Sequence, residues 1–195
     1  MKEIHVILSG GLSRRFGEPK AFARWKGKPL YQWCKQALGD DVLILSRPGL
    51  TERFIELGEK AVLEDIEPYR GKGPLAGMYT AIERAEGECY IFSACDTPLV
   101  RQETISALKR QLTPADDAVV PVADGRAQPL VAVYHRRVKS VLHEQLQQNE
   151  LKISSFLDRI RVKYIEADAV GAEPWEFINV NKKSDLEEIE PFFPG

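Results

Sequence analysis

One segment near the N-terminus gathers the residue types that hold phosphate: Ser9-Gly10-Gly11-Leu12-Ser13-Arg14-Arg15-Phe16-Gly17-Glu18-Pro19-Lys20. Without β-carbons, Gly10 and Gly11 let backbone amides approach an anion closely. Arg15 supplies a planar donor fork and Lys20 a point charge, a pairing suited to a triphosphate whose charge grows on the leaving group. The same residues also make a glycine turn with surface cations. A second feature is Asp96, which follows the apolar run Tyr90-Ile91-Phe92-Ser93-Ala94. One carboxylate at a strand end is enough for Mg2+, which completes its shell with waters and substrate phosphates. A carboxylate there can equally close an Asx turn or cap the next helix.

Weaker signals surround these two. Gly73-Pro74-Leu75-Ala76-Gly77 opens a helix with proline in its first turn, so free amides there suit an anion or a base, or simply a tight loop-to-helix entry. Asp65 sits in a short acidic cluster that also suits a solvated loop. Asn179 and Asn181 alternate in Phe177-Ile178-Asn179-Val180-Asn181 and face one way if extended, where paired amides read the edge of a heterocycle; the alternative is a cap on the following helix. Nucleophile machinery is missing. There is no GxSxG, His5, His135 and His143 form no HExxH, and Cys95 reads as a small buried residue. Walker spacing is absent, and the GxGxxA letters at Gly71–Ala76 stand too far past the preceding strand for a dinucleotide site.

These residues need a scaffold that brings them to one edge. Short apolar runs alternate with amphipathic stretches, as in βαβ units feeding a parallel sheet. Strands are predicted at Glu3–Leu8, Val42–Leu45, Lys60–Leu63, Cys89–Ala94, Ala118–Val122 and Val162–Glu166. Helices are predicted at Pro29–Leu38, Thr51–Leu57, Leu75–Ala85, Gln102–Gln111, Arg136–Asn149, Ile153–Ile160 and Ser184–Ile189. Asp124-Gly125 marks a hairpin-like excursion before the apolar run Leu130–Tyr134. The expected fold is a three-layer α/β sandwich with a mostly parallel central sheet, one domain over 1–195. Parallel strands share their carboxyl edge, where open α/β sheets bind ligands. Strand one there runs into Ser9-Gly10, strand two into Ser46-Arg47, strand three into Glu64-Asp65 and strand four into Cys95-Asp96.

Composition agrees with such a domain. The chain has 195 residues, 27 Lys plus Arg against 29 Asp plus Glu, and 44% hydrophobic residues. A net charge of −2 speaks against a broad nucleic-acid surface. No apolar run approaches a membrane span and Ile4–Leu8 is too short for a signal-peptide core, so a cytoplasmic location is expected. The three cysteines, Cys34, Cys89 and Cys95, fit neither a disulfide framework nor zinc spacing.

Leu8-Ser9-Gly10-Gly11-Leu12-Ser13-Arg14-Arg15-Phe16-Gly17-Glu18-Pro19-Lys20 resembles the LAGGxSxRMGxxK signature of the molybdenum cofactor guanylyltransferases, the MobA family. Gly73–Gly77, Cys95-Asp96-Thr97-Pro98, Gln128-Pro129-Leu130 and Phe177–Asn181 look like that family's later motifs, in order. Ser9 stands where the family usually has Ala, and Phe16 where it has Met. The resemblance implies a Rossmann-like nucleotidyltransferase fold of the nucleotide-diphospho-sugar-transferase type. It implies transfer of GMP from GTP to the phosphate of Mo-molybdopterin, with release of pyrophosphate. It assigns Leu8, Ser9, Gly10, Lys20, Asp65 and Asp96 to GTP, Asp96 to Mg2+, and Asn179 and Asn181 to the pterin side. Gly11, Gly73 and Gly77 are added from the residue reading, with Arg15, Lys20 and Asp96 as the catalytic set. A monomer that meets other cofactor-assembly proteins is expected. Alternatives are a cytidylyltransferase acting on molybdopterin, another small nucleotidyltransferase, or a GTP-binding carrier without turnover.

Overall fold

The computed structural model describes residues 2–11 and 16–193. Arg15, with Leu12, Ser13 and Arg14, lies outside the described residues. The chain runs β1 (Glu3–Ser9), β2 (Arg24–Trp25), β3 (Lys28–Pro29), α1 (Leu30–Leu38), β4 (Val42–Ser46), α2 (Thr51–Glu56), β5 (Val62–Glu64), α3 (Pro74–Arg84) and β6 (Cys89–Ala94). It continues through α4 (Gln102–Gln111), β7 (Ala118–Ala123), β8 (Arg126–Ala127), β9 (Val131–His135), α5 (Lys139–Gln147), α6 (Ile153–Leu157), β10 (Val162–Glu166) and α7 (Asp185–Ile189).

The main sheet has the order β10-β7-β9-β6-β1-β4-β5, with β8 paired to β7. Pairing is parallel for β1 with β4 and β6, for β4 with β5, and for β7 with β10; β9 runs antiparallel to both of its neighbours. This revises the expected excursion. Asp124 and Gly125, both at positive φ, turn β7 back into β8. The chain after them does not stay peripheral but enters the middle of the sheet as β9, because Val131, Ala132, Val133 and Tyr134 are all buried and need cover on both faces.

Alternation along the strands sorts the core into two layers. Ile7, Ile44, Ile91, Val119 and Val133 face α1 and α4 and pack with Tyr31, Cys34 and Leu108. On the opposite face Val6, Leu8, Leu45, Phe92 and Tyr134 meet Leu75, Met78 and Ile82 of α3 and Leu142 of α5. Burying a side chain such as Phe92 contributes roughly 1.5–3 kcal/mol.

Most element ends differ from the sequence reading by one to three residues, and two of these differences have a clear local reason. The third strand is Val62–Glu64 rather than Lys60–Leu63, since Lys60 is exposed and strand pairing starts where the Ala61 carbonyl accepts from the Ile44 amide at 2.8 Å. Pro29 belongs to the short β2–β3 hairpin, and α1 begins one residue later, where the Leu30 amide donates to the Ala23 carbonyl. Among the described residues no helix is long and apolar enough to cross a membrane.

Candidate active site

Four strand ends and two later loops close around one cavity of about 370 Å³. Leu8, Ser9, Gly10, Gly11 and Lys20 line it from the first strand and the loop after it; Cys95 and Asp96 enter from the end of β6. Asp65 stands past β5, while Gly73 and Gly77 come from the start of α3, and Asn179 from the segment before α7. Gly10 and Asp96 therefore share a wall-to-wall space rather than opposite rims. Over Gly10 and Gly11 an added β-carbon would meet nothing within 4 Å among the described residues, so the space above them is open to a ligand.

The centre of charge is Lys20. Its Nζ donates to Asp96 Oδ2 at 2.9 Å and to Asn181 Oδ1 at 3.0 Å. Asp96 Oδ1 is buried and accepts no hydrogen bond. A buried carboxylate oxygen without a donor costs free energy unless something arrives to use it. The helix-cap alternative for Asp96 fails, because α4 begins at Gln102 with Arg101 before it. The turn is instead held by Thr97, whose Oγ1 donates to the Ala94 carbonyl at 3.0 Å, and by the Val180 amide donating to the Asp96 carbonyl at 2.8 Å. Asp96 is thus fixed by its backbone while one carboxylate oxygen stays uncommitted.

The asparagine segment is extended coil rather than strand. Asn179 lines the cavity, whereas Asn181 stands outside its lining and reaches the site through Lys20. Neither asparagine caps α7: Asp185, its first residue, holds the preceding turn by accepting at Oδ2 from the amides of Asn181 and Lys182, so the Asn181 side chain is left to Lys20 and that of Asn179 to the cavity.

Asp65 is held by the Gly71 amide, which donates to its Oδ2 at 3.1 Å; burial pushes its carboxyl above the usual range, with the Gly71 bond opposing. Gly77 serves packing as well as lining, since an added β-carbon would stand 3.0 Å from Leu8 Cδ2 and hold α3 off β1. Gly73 takes φ +76° as the residue before α3, a conformation that favours glycine. Cys95 lines the cavity but burial, with the Asp96 charge beside it, pushes its thiol up to about 12, so it stays protonated and is no nucleophile at neutral pH.

The resemblance implies a polar nucleotide contact after the second strand, for which the sequence offers Ser46 or Arg47; Arg47 lines the cavity and Ser46 does not, while Leu45, Pro48 and Leu50, which the sequence reading passed over, form an apolar wall. The signal for Arg47 was its position one residue past β4. The apolar wall carried none, because Leu45 and Leu50 look like ordinary core. Among the described residues no group of three or more His, Cys, Asp or Glu side chains could hold a metal ion by itself.

Residues 5–163 match the family model of the MobA-like NTP transferase domain. The chain is 50% identical to a Bacillus subtilis protein named probable molybdenum cofactor guanylyltransferase, over 97% of this chain and 96% of that one. It is likewise 50% identical to a Bacillus velezensis protein of the same name, over 95% and 93%. Its fold superposes with TM-score 0.83 and 25% identity on the crystal structure of molybdopterin-guanine dinucleotide biosynthesis protein A from Archaeoglobus fulgidus, covering 96% of this chain and 97% of that one. With the cavity at the expected sheet edge and relatives matched end to end, the chain belongs to the MobA-like NTP transferase family.

Proposed function

We propose that this chain is a Mg2+-dependent molybdenum cofactor guanylyltransferase, which moves GMP from GTP onto the terminal phosphate of Mo-molybdopterin, forms molybdopterin guanine dinucleotide and releases pyrophosphate. The observation that carries this reading is the buried, unpartnered Oδ1 of Asp96, set beside Lys20 in the cavity that Gly10 and Gly11 leave open. A lone carboxylate oxygen of that kind fits Mg2+, which binds through one or two carboxylates plus substrate phosphates and waters. Asp96 is the residue that would hold it, and the ion when bound supplies charge neutralisation on the phosphates.

The reaction forms a bond from an oxygen of the acceptor phosphate to the α-phosphorus of GTP and breaks the bond from that phosphorus to the bridging oxygen of pyrophosphate. The attacking phosphate is already anionic, so no strong general base is needed, which fits a cavity without a His or an ionised Cys. Positioning and cations are what the chain must provide. Amides of Gly10 and Gly11 hold the triphosphate, Lys20 moves from Asp96 towards its oxygens, and Arg15 adds a second cation to the same group. Leu8, Ser9, Asp65, Gly73 and Gly77 shape the nucleoside end. Asn179 and Asn181 face the pterin side, with Asn181 tied to the reacting centre through Lys20. By the same reading the enzyme works in the cytoplasm as a monomer that meets other cofactor-assembly proteins.

Thermal-shift measurements with GTP, CTP, ATP and UTP in Mg2+, followed by pyrophosphate release with Mo-molybdopterin, test this. GTP at about 100 times its Kd is expected to stabilise the protein by ~2.7 kcal/mol. Preference for CTP would point to cytidylyl transfer, and binding without pyrophosphate release to a carrier.

A further inference from the structure

A third apolar cluster lies apart from the two sheet layers, and the reaction just described makes no use of it. Its buried members include Phe16, Trp25, Trp33, Leu99, Val180 and Ile189. The loops that carry Lys20, Asp96 and the two asparagines each send a side chain into it: Phe16 precedes Lys20, Leu99 follows Asp96, and Val180 stands between Asn179 and Asn181. Ile178 packs against the same cluster. Neighbouring side chains of an extended segment point opposite ways, so turning Ile178 and Val180 into the cluster gives Asn179 to the cavity and Asn181 to Lys20.

The three loops depend on this cluster to different degrees. Lys20 is followed by Ala21 and Phe22, which are buried in the sheet core, with the Phe22 ring 4.5 Å from that of Phe54. Asp96 continues out of β6. The asparagine segment joins no strand ladder; Glu176 is bonded to Arg101, and Phe177 is the last of its side chains in the sheet core. Beyond that point the Val180 amide reaches the Asp96 carbonyl and Asp185 takes the amides of Asn181 and Lys182, so side-chain packing must do the rest. The stretch after α7 closes that packing. Phe193 stands edge-on to both Trp25 and Trp33, with ring centroids 4.9 Å from each, and Phe192 stacks on Trp175 at 5.7 Å. Glu190 ties the same stretch down, accepting from Trp25 Nε1 at 3.2 Å and pairing with Lys26. Phe192 and Phe193 thereby join the start of the asparagine segment to β2 and α1.

We infer that Phe192 and Phe193 are positioning residues for the acceptor substrate: by closing the third cluster they fix Asn179 and Asn181, and through them the pterin. Neither ring lines the cavity, so both act through the asparagine segment. This rests on the assignment of the two asparagines to the pterin side and adds what sets their geometry. Lys20 and Asp96, anchored by the sheet, keep the nucleotide in place when the cluster is loosened.

The experiment compares wild type with Phe193→Ala, Phe193→Leu and Leu146→Ala, the last opening the sheet layer under α5 as a control for lost stability. Each protein is measured for KM of Mo-molybdopterin, Kd of GTP in Mg2+, Tm, and hydrogen exchange at the amides of Val180, Asn181 and Lys182. In Phe193→Ala exchange at these amides should quicken and KM for Mo-molybdopterin rise by on the order of tenfold, while the GTP Kd stays within about twofold. Phe193→Leu, which keeps most of the apolar volume, should recover most of that KM. Leu146→Ala should lower Tm and leave both constants as they were. A GTP Kd that weakens as much as KM rises would make the cluster a general brace and overturn the assignment. So would an unchanged KM in Phe193→Ala, whatever the exchange rates, or an equal rise in Leu146→Ala. If Phe193→Ala does not fold, Phe192→Ala, which removes a ring 39% exposed, gives the same readouts at smaller amplitude. If wild type transfers nothing to Mo-molybdopterin, the proposed function itself fails; if it does and the variants keep its KM, only the positioning role fails.

Discussion

Two carboxylate–cation pairs, Glu176 with Arg101 and Asp96 with Lys20, differ in one respect. Glu176 is fully buried, and both of its oxygens are saturated: Oε1 accepts from Arg101 Nε at 2.8 Å and the Glu173 amide at 2.9 Å, and Oε2 from the Arg101 amide at 3.1 Å and Thr104 Oγ1 at 2.6 Å. Asp96, five positions before Arg101, has one oxygen on Lys20 and the other buried with no donor. A saturated pair is a clasp, here fastening the segment that leads to Asn179 against the start of α4. An unsaturated pair is unfinished until a ligand arrives. Asp65 lies between, with Oδ2 taken by the Gly71 amide while its side chain still lines the cavity.

The comparison breaks most readily at Asp96. Asp96→Ala is expected to keep the fold, with a stability change under about 1 kcal/mol because the lost acceptor was incompletely used. Its metal-dependent pyrophosphate release should fall by roughly two to three orders of magnitude. Steady-state rates beside a melting curve read both, and full activity in the variant would remove Asp96 from the reacting centre.

At Glu176 the expectation inverts. Removing the acceptor strands a guanidinium, a hydroxyl and two amides, so Glu176→Ala should lose about 3–5 kcal/mol in urea unfolding. A loss below about 1 kcal/mol would show that saturation does not distinguish the two pairs.

The smallest effect belongs to Asp65. Burial raises its folded pKa, so its charged form costs stability above that value, and the cost fades as pH falls through it. Asp65→Asn should therefore melt at the same or a higher temperature than wild type near neutral pH, with the difference shrinking as the buffer approaches about pH 4, the ordinary carboxylate range. Its GTP affinity should drop modestly over the same series. A variant that is less stable at neutral pH would mean that the carboxylate is structural.

Much of this was legible before any coordinates. Period-two burial along β1, the helical spacing of Leu75, Met78 and Ile82, and polar residues at the ends of successive apolar runs fixed an α/β sheet with its chemistry on one edge. Gly10, Lys20, Asp65, Asp96 and Asn179 could be named because glycine, cations and carboxylates are out of place next to buried strands. The central position of β9 could not be named, since an apolar run says that it is covered on both faces and not which strands flank it. Leu45 and Leu50 were equally silent, because an apolar cavity wall and an apolar core have the same composition.

What the sequence determined by itself was residue chemistry and local periodicity, because both are properties of neighbours along the chain. Tertiary structure alone decided that Lys20 spans from Asp96 to Asn181, 161 positions away in the chain from its own, and that Glu176 is satisfied where Asp96 is not. Whether a polar atom has a partner depends on which distant segments the fold delivers to it, and no spacing rule encodes that.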